Sequence, residues 1–318
     1  MALPLISVII PTYNQEDYIE SAIESAIIQG YENKEIIVLD DCSTDLTYEK
    51  ASEYRRHTGV RVFRNAKNLG VPANWNKAIS LSQGSFIKPL FGDDLLFPGC
   101  LEQLYRAIEG KEDAGFVFCR RNILYKREDK DKVINTYLPT IVYQDEVFRS
   151  RDTLSRGELA SLVFPCMMNI IGEPTTLLIR KEVFDTVGLF DDQFAQLVDL
   201  EFYVRVSRKY EIKAVPHILC SFRVHPGQLS NENLKQAVHL RDYALLRERY
   251  MREKKFWPFR LKVFIYQTIF QNETVFMKLL NKYVTSYLLQ MYRYIRKKKS
   301  ALFKDFPAEY AKYFETFA

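Results

Sequence analysis

Within its first ninety residues the chain repeats one pattern: a short β-rich run, a polar turn, then a stretch of helical spacing. The runs are Ile6-Ser-Val-Ile-Ile10, Glu35-Ile-Ile-Val-Leu39, Val60-Arg-Val-Phe63 and Ser85-Phe-Ile-Lys-Pro-Leu90. The first is too short for a core helix and reads as a buried parallel strand. Ile19, Ala22, Ile23, Ala26 and Ile27 fall at i, i+3, i+4, i+7 and i+8, which places them on one helix face. A second helix follows Asp45. A third spans about Pro72 to Ser82, with Gly84 as its stop and Pro89 near the end of the next strand. A β-α-β-α-β-α-β rhythm of this kind predicts a largely parallel α/β sheet with helices on both faces.

After Asp94 the pattern loosens. Gly115–Tyr125, Thr175–Ile179 and Lys213–Arg223 read as strands, the last interrupted at Pro216. Leu197–Arg208 has helical periodicity. Residues 126–160 are polar and charged and are expected to include a long surface excursion. From Gln236 onward the sequence reads as helices, which sets a boundary near residues 228–235.

Charge sharpens that boundary. Residues 1–230 carry 27 basic and 32 acidic side chains, whereas residues 231–318 carry 18 and 8 and hold 19 of the 44 aromatics. An acidic body with a basic, aromatic tail suggests an anionic surface as partner, membrane or nucleic acid. No apolar run approaches the roughly 18–20 residues that span a bilayer. The N-terminus lacks the positive region of a secretory signal. Five cysteines without CxxC spacing argue against a disulfide framework or a zinc site and suit a reducing cytoplasm.

Ligands of open α/β sheets bind beyond the C-terminal strand ends. Asp40-Asp41, Asp93-Asp94 and Asp199 fall at such ends or in loops. Clustered carboxylates repel, and a divalent cation, Mn2+ or Mg2+, would relieve them while leaving positions open for diphosphate oxygens. Neither GxGxxG after the first strand nor GxxxxGK[ST] is present, which removes most support for dinucleotide oxidoreduction and P-loop phosphoryl transfer. There is no GxSxG elbow either.

Four motifs in order carry a family resemblance: Ser7-Val-Ile-Ile-Pro-Thr-Tyr-Asn14; Val38-Leu-Asp-Asp-Cys-Ser-Thr-Asp45; Asn68-x-Gly70 with Asn76; and Gly84 with Gly92-Asp-Asp94. Together they resemble the family 2 glycosyltransferases, inverting enzymes of the GT-A fold that use nucleotide-sugar donors. The resemblance covers about residues 5–230. It implies a catalytic domain over 1–230, with a nucleotide-sugar half to about 97 and an acceptor half over about 98–230, followed by a basic helical region over 231–318.

The resemblance also implies roles. Pro11 and Tyr13 would line the nucleoside pocket, and Asp41 would accept from N3–H of a uracil or thymine. Asp40 reads equally as a turn cap. Asn68, Asn76 and Asp93 would contact the nucleotide sugar, and Asp94 and His225 would hold the metal. Arg223 would meet the diphosphate. Trp75 stands where relatives often carry Arg. Val187-Gly-Leu-Phe-Asp191 with Val198-Asp199 resembles the segment bearing the catalytic base, which makes Asp199 that base; Val198 replaces its usual acidic neighbour. Glu173-Pro-Thr-Thr176 lies where acceptors often approach.

The implied reaction is a single inverting displacement in which Asp199 deprotonates a hydroxyl of a glycan or lipid-linked acceptor. The usual setting of the family is cell-surface polysaccharide synthesis, at the cytoplasmic side of the membrane. A nucleotidyltransferase and a non-catalytic nucleotide-sugar module stand as alternatives. For the tail, helices packing on the catalytic domain or on a second subunit as a homo-oligomer, or peripheral contact with an anionic membrane, are expected, and nucleic acid is not, because no RNP, KH or zinc signature accompanies it.

Overall fold

The computed structural model describes residues 3–163, 169–228 and 238–251, the single positions 230, 233 and 236, and residues 312–317. Its elements are β1 (Ile6–Thr12), α1 (Ile19–Ile27), β2 (Lys34–Asp40), α2 (Thr47–Ser52), β3 (Val60–Arg64), α3 (Val71–Leu81), β4 (Phe86–Pro89), β5 (Leu95–Leu96), α4 (Cys100–Ile108) and β6 (Ala114–Lys126). There follow α5 (Lys130–Val147), β7 (Thr153–Leu154), α6 (Glu158–Val163), β8 (Leu177–Arg180), α7 (Glu182–Val187), α8 (Val198–Ser207), β9 (Glu211–Val224), α9 (Val238–Met251) and β10 (Phe314–Phe317).

One sheet organises the molecule, in the order β3-β2-β1-β4-β8-β6-β9-β5. The first four strands are parallel, as the repeat predicted. Ile6, Val8 and Ile10 face one layer, with the buried side of α1 and α4. Ile9, Ile37 and Leu39 face the other, with α3, α6 and α8. Burial on both faces explains why these strands are nearly continuous in apolar residues. Beyond β4 the sheet turns mixed, because β8 runs antiparallel to both β4 and β6.

Three expectations are corrected. Most of the excursion expected within 126–160 is instead the eighteen-residue α5, which buries Val133, Leu138, Ile141 and Val142 under β6 and β9. Pro139 inside the helix and the charged residues at its start obscured that face in the sequence. Pro216 does not interrupt β9, because a register shift between the Cys119–Val215 and Arg120–Ile218 pairs absorbs it, as bulges do. Past the expected boundary near 228–235, α9 buries Leu246 and Tyr250 in the main core, and β10 pairs with β6 in the same sheet. Residues 231–318 are therefore not helical throughout. The aromatic, basic stretches Phe256–Tyr266 and Tyr287–Lys299 lie outside the described residues.

Candidate active site

The C-terminal ends of β1 and β2 lie side by side, with Thr12 opposite Asp40. Two short loops leave them, and each contains a non-glycine residue in the left-handed region, Asn14 at φ 51° and Cys42 at φ 64°. Such conformations cost free energy unless the surroundings hold them. Here the loops hold each other: the Asn14 amide donates to Ser43 Oγ at 2.9 Å, and Thr44 N–H donates to Asn14 Oδ1 at 2.8 Å.

Asp40 is fully buried, and its Oδ2 accepts from Ser43 N–H at 3.0 Å and pairs with Arg64 Nε at 3.3 Å. That is the turn-cap reading of Asp40. Asp41 faces the loop after β3. Its Oδ1 accepts from Asn65 Nδ2 (2.7 Å) and Leu69 N–H (2.9 Å), and its Oδ2 from Gly70 N–H (2.9 Å). Asn65 went unnoticed in the sequence, yet it ties this corner together by also reaching Asn74 Oδ1 at 3.0 Å and accepting Lys77 Nζ at 2.6 Å. A four-oxygen-lone-pair carboxylate retains capacity for one further donor.

The other nucleotide-side residues are placed unequally. Pro11 is buried within β1, and the Tyr13 ring is 44% exposed. Exposed Asn68 accepts from Gly70 N–H at 2.9 Å. Asn76 clasps the Phe190 backbone in both directions, at 2.8 and 3.0 Å, and so joins α3 to the Val187–Asp191 segment. Trp75 stacks on Phe91 (4.9 Å) and meets Phe190 edge-on (5.1 Å).

After β4 the chain must turn tightly. A Cβ on Gly92 would stand 2.2 Å from Gln15 Oε1 and 2.6 Å from Thr12 Oγ1, so only glycine fits there. This close approach delivers Asp93 and Asp94 beneath the end of β9. Asp93 Oδ2 lies 3.1 Å from His225 Nε2. Asp94 is fully buried and accepts from Thr175 Oγ1 at 2.5 Å and Arg223 N–H at 3.1 Å. Burial, and then the adjacent Asp93 charge, push its carboxyl well above the usual range. The imidazole thus faces the first carboxylate of the pair, Asp93. Tyr18, also unforeseen, has the Arg223 guanidinium 4.5 Å over its ring and His225 4.7 Å away.

Segment Asn169–Thr176 joins this carboxylate pair to Asp199. At one end Thr175 bonds Asp94; at the other Asn169 Nδ2 donates to Asp199 Oδ2 at 2.8 Å. Asp199 sits in the first turn of α8, where Leu200 N–H donates to its Oδ1 at 2.7 Å. Glu173 lies between them, held by buried Arg121 (3.2 Å from Nη2 to Oε1). Burial raises Asp199 to about 7, with the Glu173 charge a smaller cause in the same direction and the hydrogen bonds opposing it. Lys88, buried on β4, donates to the Pro89 and Thr175 carbonyls. Among the described residues the structure thus brings Asp93, Asp94, Arg223, His225, Glu173 and Asp199 to one floor at the strand ends.

A sequence profile described as "Glycosyl transferase family 2" matches residues 7–170, just over half of the chain. The chain belongs to glycosyl transferase family 2. A Mycobacterium tuberculosis relative, itself uncharacterized, is 33% identical over 224 residues, covering 70% of this chain and 68% of its own. An uncharacterized glycosyltransferase of Rickettsia typhi is 29% identical over 247 residues, covering 76% and 70%. Among solved structures, S. aureus TarS 1–349 in complex with UDP-GlcNAc superposes with a TM-score of 0.55 at 20% identity, covering 71% of this chain and 60% of that one. The mannosyltransferase PcManGT from Pyrobaculum calidifontis, in complex with GDP-Man and Mn2+, superposes at 0.57 with 18% identity, covering 80% and 67%. At such identities these likenesses establish the GT-A fold. The chain is thus a family 2 glycosyltransferase.

Proposed function

We propose that this glycosyltransferase moves a sugar, with inversion, from a UDP- or dTDP-type donor to a hydroxyl of a glycan or lipid-linked acceptor. The observation that carries the reading is Asp199, a carboxylate on the shared floor with its pKa raised to about 7. A base of that strength is half ionised near neutrality and strong enough to take a hydroxyl proton as it attacks. No second carboxylate is needed as a covalent nucleophile, so a single displacement follows.

The donor sits over β1, β2 and β4. Exposed Tyr13 covers the base, and Asp41, fixed from behind by Asn65, Leu69 and Gly70, accepts from its N3–H. Arg223, poised over Tyr18, faces the diphosphate. With Trp75 packed on Phe91 where relatives often carry Arg, Arg223 bears more of that contact.

Asp94 and His225, a carboxylate and an imidazole, are ligand types that suit Mn2+ or Mg2+. The charge crowding on buried Asp94 fits a site built for a cation. Among the described residues no three His, Cys, Asp or Glu side chains form a metal-holding group, so Asp94 and His225 would hold the cation only together with the donor's diphosphate. The cation would stabilise charge on the leaving diphosphate. The setting in this reading is the cytoplasmic face of a membrane, in cell-surface polysaccharide synthesis, with residues 231–318 meeting the membrane or a second copy. The chain composition of that region, 18 basic against 8 acidic, supports it. Among the described residues no helix is long and apolar enough to cross a membrane.

The deciding experiment compares Asp199→Asn with wild type in UDP-sugar binding and in product release. Retained donor binding with lost turnover is expected, and near-wild-type turnover would overturn the assignment. Slow donor hydrolysis without acceptor would separate the enzyme from a non-catalytic module.

A further inference from the structure

One buried carboxylate has no part in the scheme above. Asp242, on α9, is fully buried, and its Oδ2 accepts from the backbone N–H groups of Ala195 (2.9 Å), Gln196 (2.6 Å) and Leu197 (3.0 Å). Those three amides lead directly into α8, whose second residue is Asp199. The first N–H groups of any helix lack internal partners, and Leu197 at the cap position supplies no side-chain acceptor. Asp242 takes up the Leu197 N–H together with the two amides before the cap, and its charge suits the nearby positive end of the helix dipole.

The same helix grips this segment elsewhere. Arg249 Nη1 reaches Asp191 Oδ2 at 2.6 Å and Glu201 Oε1 at 3.1 Å, and Asn233, just before α9, donates to Gln196 Oε1 at 2.9 Å. Tyr243 lies close enough that Asp199, after burial, raises its hydroxyl pKa. A buried acid accepting three amides at one turn is more than packing requires, since packing alone is served by Leu246 and Tyr250.

We propose that Asp242 is the positioning residue of the base: it fixes the Ala195–Leu197 turn and so sets where Asp199 points. By this assignment α9, which lies beyond the family-matched residues 7–170, carries the residue that positions the base, whereas its Leu246 only packs. The inference rests on the reading of Asp199 as base. Its physical ground is that a misplacement of about 1 Å in a reacting group can cost about 100-fold in rate.

The test uses the full chain with Mn2+ and measures UDP affinity, UDP release from UDP-sugars, and amide hydrogen exchange. In Asp242→Ala, kcat is expected to fall about 10- to 100-fold with UDP affinity unchanged. Exchange should rise at residues 195–201 and stay unchanged at 34–45. Asp242→Asn, which keeps an acceptor oxygen, should recover part of kcat. Leu246→Ala loosens α9 without touching the cap, and should lower thermal stability while leaving kcat per folded molecule intact. Unchanged exchange at 195–201 in Asp242→Ala, an unchanged kcat, or an equal kcat loss in Leu246→Ala would each overturn the proposal. An Asp199→Asn variant that still turns over would overturn the base reading instead. An inactive Asp199→Asn beside a fully active Asp242→Ala would overturn only the positioning role.

Discussion

The two halves proposed for the catalytic domain, a donor half to about 97 and an acceptor half over about 98–230, build their parts of the site by opposite means. In the donor half, carboxylates sit at the ends of adjacent parallel strands, and short loops lock them by backbone bonds. Asp41 accepts two loop amides, and Asn14 and Ser43 fasten their loops to each other. In the acceptor half, Asp199 depends on groups scattered along the chain: Asn169 on a loop and, through the turn before α8, Asp242 on α9. A locally braced site tolerates distant change, whereas one assembled from far-apart segments inherits the mobility of each.

The largest expected effect lies at the base. Asp199→Asn should lower kcat by about 10²–10⁴-fold, the range a general base contributes, with UDP affinity intact by calorimetry. Parallel loss of UDP binding would show that the halves are not separable. Next, Asp94→Ala and His225→Ala should each weaken Mn2+-dependent UDP binding about tenfold or more. A metal requirement unchanged in Asp94→Ala would remove that carboxylate from the metal set and leave the Asp93–His225 pair.

The acceptor half should also carry the pH response. Activity should rise with pH through about 7 as Asp199 ionises, and the limb should vanish in Asp199→Asn. Stability runs the other way. Because folding raises this pKa, the contribution of Asp199 is fully present below its unfolded value, about 3.9, and is lost as pH rises through about 7. Asp199→Asn should therefore raise the melting temperature more at pH 8 than at pH 5, which calorimetry can check. The smallest effect on chemistry is expected from Leu246→Ala. It should cost about 2–5 kcal/mol of stability as a fully buried leucine does, and a near-zero cost would detach α9 from the core.

Most of the donor half was legible in the sequence, since both the β-α repeat and its acidic turns are short-range signals. Gly92 shows the limit: in the sequence it stands only as part of a motif with Asp93 and Asp94, and the closeness of Thr12 and Gln15 that requires glycine there appears only in the fold. Asn65 was not legible, because a single polar residue after a strand has many uses. In the acceptor half, Asp199 was found by motif, but Asp242 was not: a buried acid on a helix rich in Arg looks solvated in sequence. The length of α5 was hidden by Pro139, and the return of Phe314–Phe317 to β6 spans nearly two hundred positions of sequence separation.

The sequence by itself determined the parallel strands, their order of appearance and the acids at their ends, because periodicity and turn chemistry act over a few residues. Only the tertiary structure decided which carboxylate faces His225, which side chain holds the Asp199 turn, and that α9 belongs to the body. Those outcomes depend on burial and on hydrogen bonds between segments far apart in the chain, and neither is written in local spacing.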